Sequence, residues 1–541
     1  MQKEISELHN LIKNKNIDKA YVGAKKIYQR DNKNTDIIKI LAFLHIQKGQ
    51  FDSAIKVLES YYDKNPKEKD FDYFINMGVS LKSNEEFQQS LLMYERAIEI
   101  NPDSPLCYTT PAEIRLKLRE FKKSIELINI ALDKIKNSAP QNTLHFPNAV
   151  KLKTEINVAL NNDNENGEML KKILDEYFYP DIFFLLTTVD TKLVSKDLLK
   201  KAEESLKIND SKFENKLDRF WYVHPLYFGL AIYYQKTNQE KSEKYYNLGN
   251  NETMKSLRYN SFNYQKNIGD IIDNYKNNFV NESFESEEGA NNIFILGTPR
   301  SGTTLIESII ASNDEVKSGG ELLSANKLIQ ELIDHKEQNV KKFVNYFHNK
   351  YLSRTKFIRG NYKCIVDKLP ENFLFLGYIT KLLPKTKIIR TFRNPWDIAI
   401  SLYKQRYVTN IPYSASFFNI GVFMSNFEAI NTFWNEEMKG SKNILDIHYE
   451  KLVDDPDLYQ KKIYEFLELD SSYSEEKRRS FFSQTASIRQ INSPVHRKSI
   501  AKNEFIEYKN EFYDAFTMQR KYWVKRGIIM ENQDFFGYHI S

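Results

Sequence analysis

The chain has 541 residues, enough for two to four domains that each bury a hydrophobic core. Hydrophobic residues form 41% of the chain and aromatic residues 13%, a composition that excludes disorder over most of its length. The formal net charge of +6 is small for this length, so it does not indicate nucleic-acid binding. It is compatible with an anionic small ligand, but a basic surface that only contacts water explains it more simply.

Cysteine usage and the N-terminus indicate a reducing compartment. Cys107 and Cys364 are far apart, and no CxxC pair suggests a disulfide framework or a zinc site. The first residues are polar and lack the apolar segment of a secretory signal. No run of about 18 apolar residues occurs, so we expect a cytoplasmic protein without a membrane span.

The first quarter of the chain repeats one pattern. An aromatic residue recurs at Phe51, Phe87 and Phe121, spaced 36 and 34 residues apart. A small residue follows three positions after each of them: Ala54, Ser90 and Ser124. A period near 34, with small residues where two helices meet, predicts a solenoid of helix pairs and resembles the tetratricopeptide repeat (TPR). Such an array either holds a peptide or partner in its groove or only packs against the next domain.

Residues 146–285 remain helical in pattern but lose the clear period, and they predict a further helical region and linker. Within this region, residues 240–260 predict one further helix pair. A polar, turn-rich stretch before Ile293 predicts a domain boundary.

The segment NIFILGTPRSGTTLIESII, residues 292–310, predicts a buried strand, a loop and a helix. Gly297 and Gly302 bracket four residues, as in nucleotide triphosphatase loops, but Thr303 stands where those loops have lysine. Backbone N–H groups, the helix N-terminus and Arg300 can still bind a phosphate. The alternative is a tight glycine turn with a structural role only.

The loop sequence PRSGTT resembles the 5′-phosphosulfate loop of sulfotransferases that use 3′-phosphoadenosine 5′-phosphosulfate (PAPS). The resemblance implies that the loop binds this donor, through Pro299, Arg300, Ser301, Gly302, Thr303 and Thr304. Without the lysine, a kinase or hydrolase of nucleoside triphosphates is poorly supported.

A second segment, TKIIRTFRNPWDIAIS, predicts another strand, turn and helix. Sulfotransferases of this family hold the 3′-phosphate of the donor with an arginine and a serine eight residues apart, and the resemblance places Arg393 and Ser401 in those roles. The alternative is a structural turn in which Asp397 caps the helix locally.

Three further segments resemble parts of the same family. The segment NILDIHYEKLVDDP implies that Tyr449 lies near the nucleotide. The segment CIVDKLPENF implies that Lys368 points toward the sulfuryl group, the alternative being a surface lysine. Near the C-terminus, TASIRQINSPVHRKSIAK resembles the closing segment of tyrosylprotein-type enzymes; it implies that Ser487 lies near the transferred group and Lys502 near the donor phosphates.

The resemblance also implies a catalytic set. Arg300 and Lys368 would stabilise negative charge, Ser487 would donate a hydrogen bond, and Glu321 would remove the acceptor proton. Glu321 follows a Gly-Gly turn and precedes a predicted helix, so helix capping is its alternative role. A histidine base is not indicated, because no histidine lies in the matching region 373–383. We expect no metal ion.

The sequence therefore predicts an α plus α/β protein. Residues 1–145 form a TPR-like α-solenoid, and residues 286–541 form a P-loop-like α/β sulfotransferase domain with a central parallel sheet. We expect transfer of a sulfuryl group from PAPS to a tyrosine of a protein or peptide presented by the repeats. A carbohydrate, lipid or small-molecule hydroxyl is an alternative acceptor. A TPR scaffold whose second domain binds PAP, the desulfated product, without activity is an alternative function.

Overall fold

A computed structural model describes residues 1–63, 65–137, 145–160, 162–257, 259–282, 288–335, 340–407, 411–470, 473–482, 500 and 503–538. The chain forms two compact units, residues 1–156 and 157–541.

The first unit is made of helices in repeated pairs. They are α1 (Gln2–Lys13), α2 (Ile17–Arg30), α3 (Thr35–Gln47), α4 (Phe51–Tyr62), α5 (Phe71–Ser83), α6 (Phe87–Ile100), α7 (Leu106–Lys117), α8 (Phe121–Asn137) and α9 (His145–Ala159), in which the unit boundary falls. The small residues at the repeated position are fully buried where paired helices meet. Ser90 Oγ donates to the carbonyl of Gly78 at 2.7 Å, and Ser124 Oγ donates to that of Ala112 at 2.6 Å. The two helices of a pair lie so close at these positions that only a small side chain fits between them. This explains why a small residue recurs at this position of the repeat.

The second unit begins with six helices. They are α10 (Asp163–Glu176), α11 (Pro180–Val189), α12 (Lys196–Ser205), α13 (Lys216–Tyr234), α14 (Gln239–Ser256) and α15 (Ser261–Asn278). The helix pair predicted over 240–260 was wrong, because α14 runs unbroken through most of it. Its Gly249 gives Phe228 of α13 room to pack, since a Cβ there would lie 2.7 Å from that ring.

A five-stranded, fully parallel sheet follows. Its strands are β1 (Asn292–Gly297), β2 (Val316–Ser318), β3 (Cys364–Asp367), β4 (Lys387–Phe392) and β5 (Ile444–His448), in the order β2-β3-β1-β4-β5. Around it lie α16 (Thr303–Ile310), α17 (Ser324–His335), α18 (Val340–Phe347), α19 (Ser353–Arg359), α20 (Leu376–Leu382), α21 (Pro395–Tyr403), α22 (Phe417–Glu437), α23 (Tyr449–Asp454), α24 (Pro456–Leu467), α25 (Glu475–Arg479) and α26 (Lys509–Lys525).

Strand β1 is buried on both faces, as a central parallel strand requires. Phe294 and Leu296 pack into one core with the aromatic residues of α15 and α22, whereas Ile293 and Ile295 pack into a second core with α16 and α24. The predicted fold class is confirmed: helical repeats are followed by a central parallel sheet with helices on both faces.

Three of the six helices before the sheet, α13, α14 and α15, contribute buried side chains to its first core. The ring of Tyr275 in α15 lies 4.9 Å from that of Trp434 in α22, at 82°. Tyr378 donates to Asn274 Oδ1 at 2.9 Å, and Asn250 donates to the carbonyl of Tyr403 at 2.8 Å. None of the described helices has the length and apolar character needed to cross a bilayer.

Candidate active site

The parallel arrangement places the carboxyl ends of all five strands at one edge of the sheet, where α/β folds bind their ligands. The residues that follow β1 form the phosphate-type loop, and Arg393 and Tyr449 follow β4 and β5. Glu321 and Lys368 follow β2 and β3 on the other side of β1.

Two glycines allow the loop after β1 to approach its neighbours closely. A Cβ on Gly297 would lie 2.2 Å from Thr391 Oγ1 of β4. Gly302 has φ +106° and caps α16, and a Cβ there would lie 2.5 Å from Tyr449 Cδ2. Any larger residue would therefore displace the loop from the ends of β4 and β5.

Hydrogen bonds fix the remaining shape of the loop. The backbone N–H of Ser301 donates to the carbonyl of Thr298 at 3.1 Å, and its hydroxyl donates to the same oxygen at 2.7 Å. Ser301 also shares a short hydrogen bond with the hydroxyl of Thr391. Thr298 Oγ1 is buried and has no hydrogen-bond partner among the described residues. The loop leads into Thr303 and Thr304, the first residues of α16, at the N-terminal end of the helix, where its dipole favours an anion.

Arg300 and Arg393 form a buried cationic pair. Arg300 Nε donates to Ser401 Oγ at 2.9 Å, and the carbonyl of Arg300 accepts from Arg393 Nη1 at 2.8 Å. Burial, with a contribution from the charge of Arg393, lowers the pKa of Arg300. Two neighbouring guanidinium groups out of water favour an anion at this position.

The turn after β4 is held by side chains at the start of α23, the helix that follows β5. The guanidinium of Arg393 lies 4.5 Å from the ring centre of Tyr449. The N–H of Asn394 donates to Glu450 Oε1 at 2.9 Å, and the Asn394 side chain caps α21 by accepting from two backbone N–H groups. The residue that caps α21 is therefore Asn394 and not Asp397, because the backbone N–H of Asp397 donates to Asn394 Oδ1.

Lys368 is fully buried and lies between two carboxylates. Its Nζ donates to Glu321 Oε1 at 2.6 Å and lies 3.8 Å from Glu307 Oε2. Burial alone would lower the pKa of Lys368, but the carboxylates of Glu321 and Glu307 outweigh it and raise this pKa. Lys368 is therefore held as an ammonium group, and the surface-lysine alternative does not describe it.

A glycine turn presents Glu321 to this lysine. The N–H of Gly319 donates to the carbonyl of Val366 at 2.8 Å, and the N–H of Lys368 donates to the carbonyl of Gly320 at 2.9 Å. The turn is thus tied to β3, and the Glu321 side chain reaches Lys368 while 43% of it stays exposed.

Two acidic residues at this edge were missed from the sequence. Glu307 is fully buried on α16 and accepts a hydrogen bond from Ser318 Oγ at 2.6 Å. Burial, with a contribution from Glu321, raises the pKa of Glu371 to about 7. The sequence did contain a signal for Glu307, because it is a carboxylate among the apolar residues of a short helix. A carboxylate in such a position is rarely buried unless it is paired with another group.

The sequence-predicted residues fall into two groups. Around the loop and the ends of β4 and β5 lie Pro299, Arg300, Ser301, Gly302, Thr303, Thr304, Arg393, Ser401 and Tyr449. Lys368 and Glu321 lie together at the ends of β3 and β2. Ser487 and Lys502 lie outside the described residues. Among the residues that the structure describes, no three or more His, Cys, Asp or Glu side chains are grouped as for a metal ion.

The second unit thus has a central parallel sheet with a phosphate-type loop and two buried guanidinium groups at the carboxyl ends of its strands. Residues 292–474 match the model of the sulfotransferase family, and residues 11–74 match that of the tetratricopeptide repeat. Over these residues the second unit is similar to the sulfotransferase family, and the first unit contains repeats of the tetratricopeptide type.

Two curated relatives are similar to parts of the chain. A protein of Aquifex aeolicus (strain VF5), described only as "Uncharacterized protein", is 30% identical over 236 residues, which cover 39% of this chain and 30% of the relative. "Protein-tyrosine sulfotransferase A" of Caenorhabditis elegans is 26% identical over 212 residues, which cover 35% of this chain and 53% of the relative. The chain thus spans about a third and about half of the length of these two relatives.

Two solved structures are also similar to parts of the chain. The sulfotransferase domain of the Synechococcus PCC 7002 olefin synthase has 17% identity and a TM-score of 0.31, over 44% of this chain and 97% of that one. The C-terminal part of a TPR repeat-containing protein from Cytophaga hutchinsonii has 14% identity and a TM-score of 0.30, over 45% of this chain and 93% of that one.

Proposed function

We propose that this chain transfers a sulfuryl group from PAPS to an acceptor hydroxyl. The observation that carries the proposal is the ion pair of Lys368 and Glu321 at the same sheet edge as the phosphate-type loop. The loop supplies an anion site without the lysine of triphosphatases, and the ion pair supplies a cation and a carboxylate base beside it.

The residues fit a donor that carries phosphate groups at two places. Backbone N–H groups of the loop, together with Thr303 and Thr304, bind the 5′-phosphate. Arg393 and Ser401 bind the 3′-phosphate, and Tyr449 lies beside the nucleotide. The fit is supported by the two buried guanidinium groups, which favour an anion, and by the hydroxyl of Thr298, which has unused hydrogen-bonding capacity. Ser487 and Lys502 remain proposed contacts of the sulfuryl group and the phosphates.

The transfer is a single displacement at sulfur. Glu321 takes the proton of the acceptor hydroxyl, and the acceptor oxygen forms a bond to sulfur. The bond between sulfur and the bridging oxygen breaks, and its electron pair stays with the 5′-phosphate of PAP. Lys368 and Arg300 stabilise the negative charge on the transferred group and on the leaving oxygen.

The acceptor we favour is a tyrosine of a protein or peptide that binds the repeats. Two observations support this class: the repeats themselves, which commonly bind peptides, and the similarity to an enzyme named as a protein-tyrosine sulfotransferase. A carboxylate base also suits a phenol, which is more acidic than a sugar hydroxyl.

Donor binding is tested by calorimetry with PAP. Arg393→Ala removes charge-assisted hydrogen bonds of roughly 1.5–3 kcal/mol, so PAP should bind about 10- to 150-fold more weakly than to the unmodified protein. Glu428→Gln is a matched control, because Glu428 is a fully buried carboxylate that pairs with Arg520 rather than with the site. If the unmodified protein has no measurable affinity for PAP, the proposal is wrong.

Acceptor choice is tested by transfer of ³⁵S from labelled PAPS to a lysate, followed by mass spectrometry of the labelled product. Label on tyrosine supports the full proposal, and label on a glycan, lipid or small molecule supports sulfuryl transfer with another acceptor. PAP binding without label on any acceptor indicates an inactive scaffold. Glu321→Gln should abolish transfer and leave PAP affinity within about threefold, since Glu321 does not contact the phosphates.

A further inference from the structure

We propose that Glu307 is a positioning residue: it stays as the counterion of Lys368 while Glu321 leaves the ammonium group to take the acceptor proton. This inference rests on the proposed function for its catalytic consequence. Its electrostatic basis lies in contacts of the described residues alone.

The two carboxylates that meet Lys368 differ in exposure. Glu321 makes the shorter contact, 2.6 Å, but 43% of its side chain is exposed. Glu307 lies at 3.8 Å and is fully buried. An acceptor can therefore reach Glu321 from solvent, whereas Glu307 contacts only the protein interior.

Glu307 is also fixed in place. It lies one turn into α16, on the same face as Thr303 and Thr304, because residues three and four apart share a helix face. Its Oε1 accepts from Ser318 Oγ at 2.6 Å, at the end of β2 and just before the glycine turn that carries Glu321. A single buried side chain thereby connects the helix of the phosphate-type loop, the strand before Glu321 and Lys368.

The charge balance explains why a second carboxylate is needed. When Glu321 gains the acceptor proton, it loses the charge that compensates Lys368. A buried ammonium group without a carboxylate partner is costly, so the proton transfer would be opposed. With Glu307 in place, Lys368 keeps one counterion throughout, and the loss of charge at Glu321 is tolerated.

Among the described residues, three carboxylates act on the charge of Lys368. Its electrostatic neighbours are Glu321, Glu307 and Glu371. The adjacent carboxylate of Asp367 is engaged elsewhere, since it accepts from Tyr351 at 2.9 Å and from Asn372 at 3.3 Å. Removal of Glu307 therefore leaves Lys368 with the exposed Glu321 and with Glu371, whose charge is itself suppressed by burial.

The first test measures Lys368 without any turnover. Protein labelled with [ε-¹³C]lysine is titrated by NMR, and the Lys368 signal is assigned from its loss in Lys368→Arg. In Glu307→Gln the Lys368 signal should titrate at lower pH than in the unmodified protein, because one stabilising carboxylate has been removed. In Glu307→Asp, which keeps the charge, most of this shift should be absent. This measurement does not depend on whether any acceptor is sulfated. A failure of this inference can therefore be distinguished from a failure of the proposed function.

The second test measures transfer. Glu307→Gln should lower kcat roughly 10- to 100-fold and move the alkaline limb of the pH profile to lower pH, with PAP affinity within about threefold. Glu307→Asp should restore much of kcat. Glu428→Gln, a buried carboxylate far along the chain in α22, should leave kcat and the Lys368 titration unchanged.

The inference is overturned if Lys368 titrates in Glu307→Gln as it does in the unmodified protein. It is also overturned if Glu307→Asp loses as much kcat as Glu307→Gln, since that result indicates packing alone. Should Glu307→Gln fail to fold, judged by circular dichroism and PAP binding, Glu307→Asp carries both tests. If Lys368 then titrates at nearly the same pH as in the unmodified protein and kcat is close to its value, the inference is supported. If Lys368 titrates at lower pH and kcat falls, the inference is overturned.

Discussion

The contact between Gly302 and Tyr449 predicts that Gly302→Ala weakens donor binding. Gly302 has φ +106°, so alanine there carries a backbone strain of about 1–2 kcal/mol. Its Cβ would also lie 2.5 Å from Tyr449 Cδ2 and 3.2 Å from Cε2, so the ring has to move.

The displaced ring also affects the second anion site. Tyr449 lies 4.5 Å under the guanidinium of Arg393, a contact worth about 0.5–2 kcal/mol. The variant loop relaxes from its binding conformation, and PAP has to restore both the loop and the ring contact on binding. The sum, roughly 1.5–4 kcal/mol, corresponds to a PAP affinity about 10- to 700-fold weaker.

Calorimetry with PAP measures this change, and Gly440→Ala is the matched control. Gly440 has φ +81°, and a Cβ there would meet no atom within 4 Å. The control variant therefore carries similar backbone strain without a clash, and it should lower the unfolding temperature with no effect on PAP affinity. If Gly302→Ala binds PAP as tightly as Gly440→Ala does, the reasoning about Tyr449 is refuted.

Two further changes give distinct outcomes. Burial raises the pKa of Glu371 from its ordinary 4.5 to about 7, so the folded protein loses stability as the pH rises through this window. Glu371→Gln should therefore be more stable than the unmodified protein at pH 8, by up to about 3 kcal/mol, and equal at pH 4.5; urea unfolding that shows no pH-dependent difference would contradict this. Tyr538 donates to Glu450, which holds the turn beside Arg393, so Tyr538→Phe should weaken PAP binding about 3- to 10-fold. An unchanged PAP affinity in calorimetry would show that the hydrogen bond from Tyr538 to Glu450 does not contribute to donor binding.

The sequence predicted the local parts of this molecule well. The loop after β1 combines glycine spacing, an apolar strand and a helical pattern within about twenty residues, so its shape is encoded locally. The same holds for the strand and helix that carry Arg393 and Ser401. In the repeats, the small residue three positions after each aromatic residue marks a helix contact inside one pair.

Contacts that depend on strand order could not be predicted in this way. Strand β3 lies between β1 and β2, although it follows both in the chain, and only this order brings Lys368 beside Glu307 and Glu321. The hydrogen bond from Arg300 to Ser401 likewise joins two residues that the sequence assigned to opposite ends of the donor. Neither contact leaves a periodic signal in a single sequence.

The shared core of the second unit has a practical consequence for fragments. The family match begins at residue 292, yet Tyr275 and its neighbours in α15 fill the core beneath the sheet. A truncated chain that starts at the family boundary would expose Trp434, Tyr378 and other large rings to water, and aggregation is the expected fate of such a surface. The second compact unit, residues 157–541, is therefore better suited to expression by itself than the matched segment, and the boundary of homology is a poor guide to where to cut.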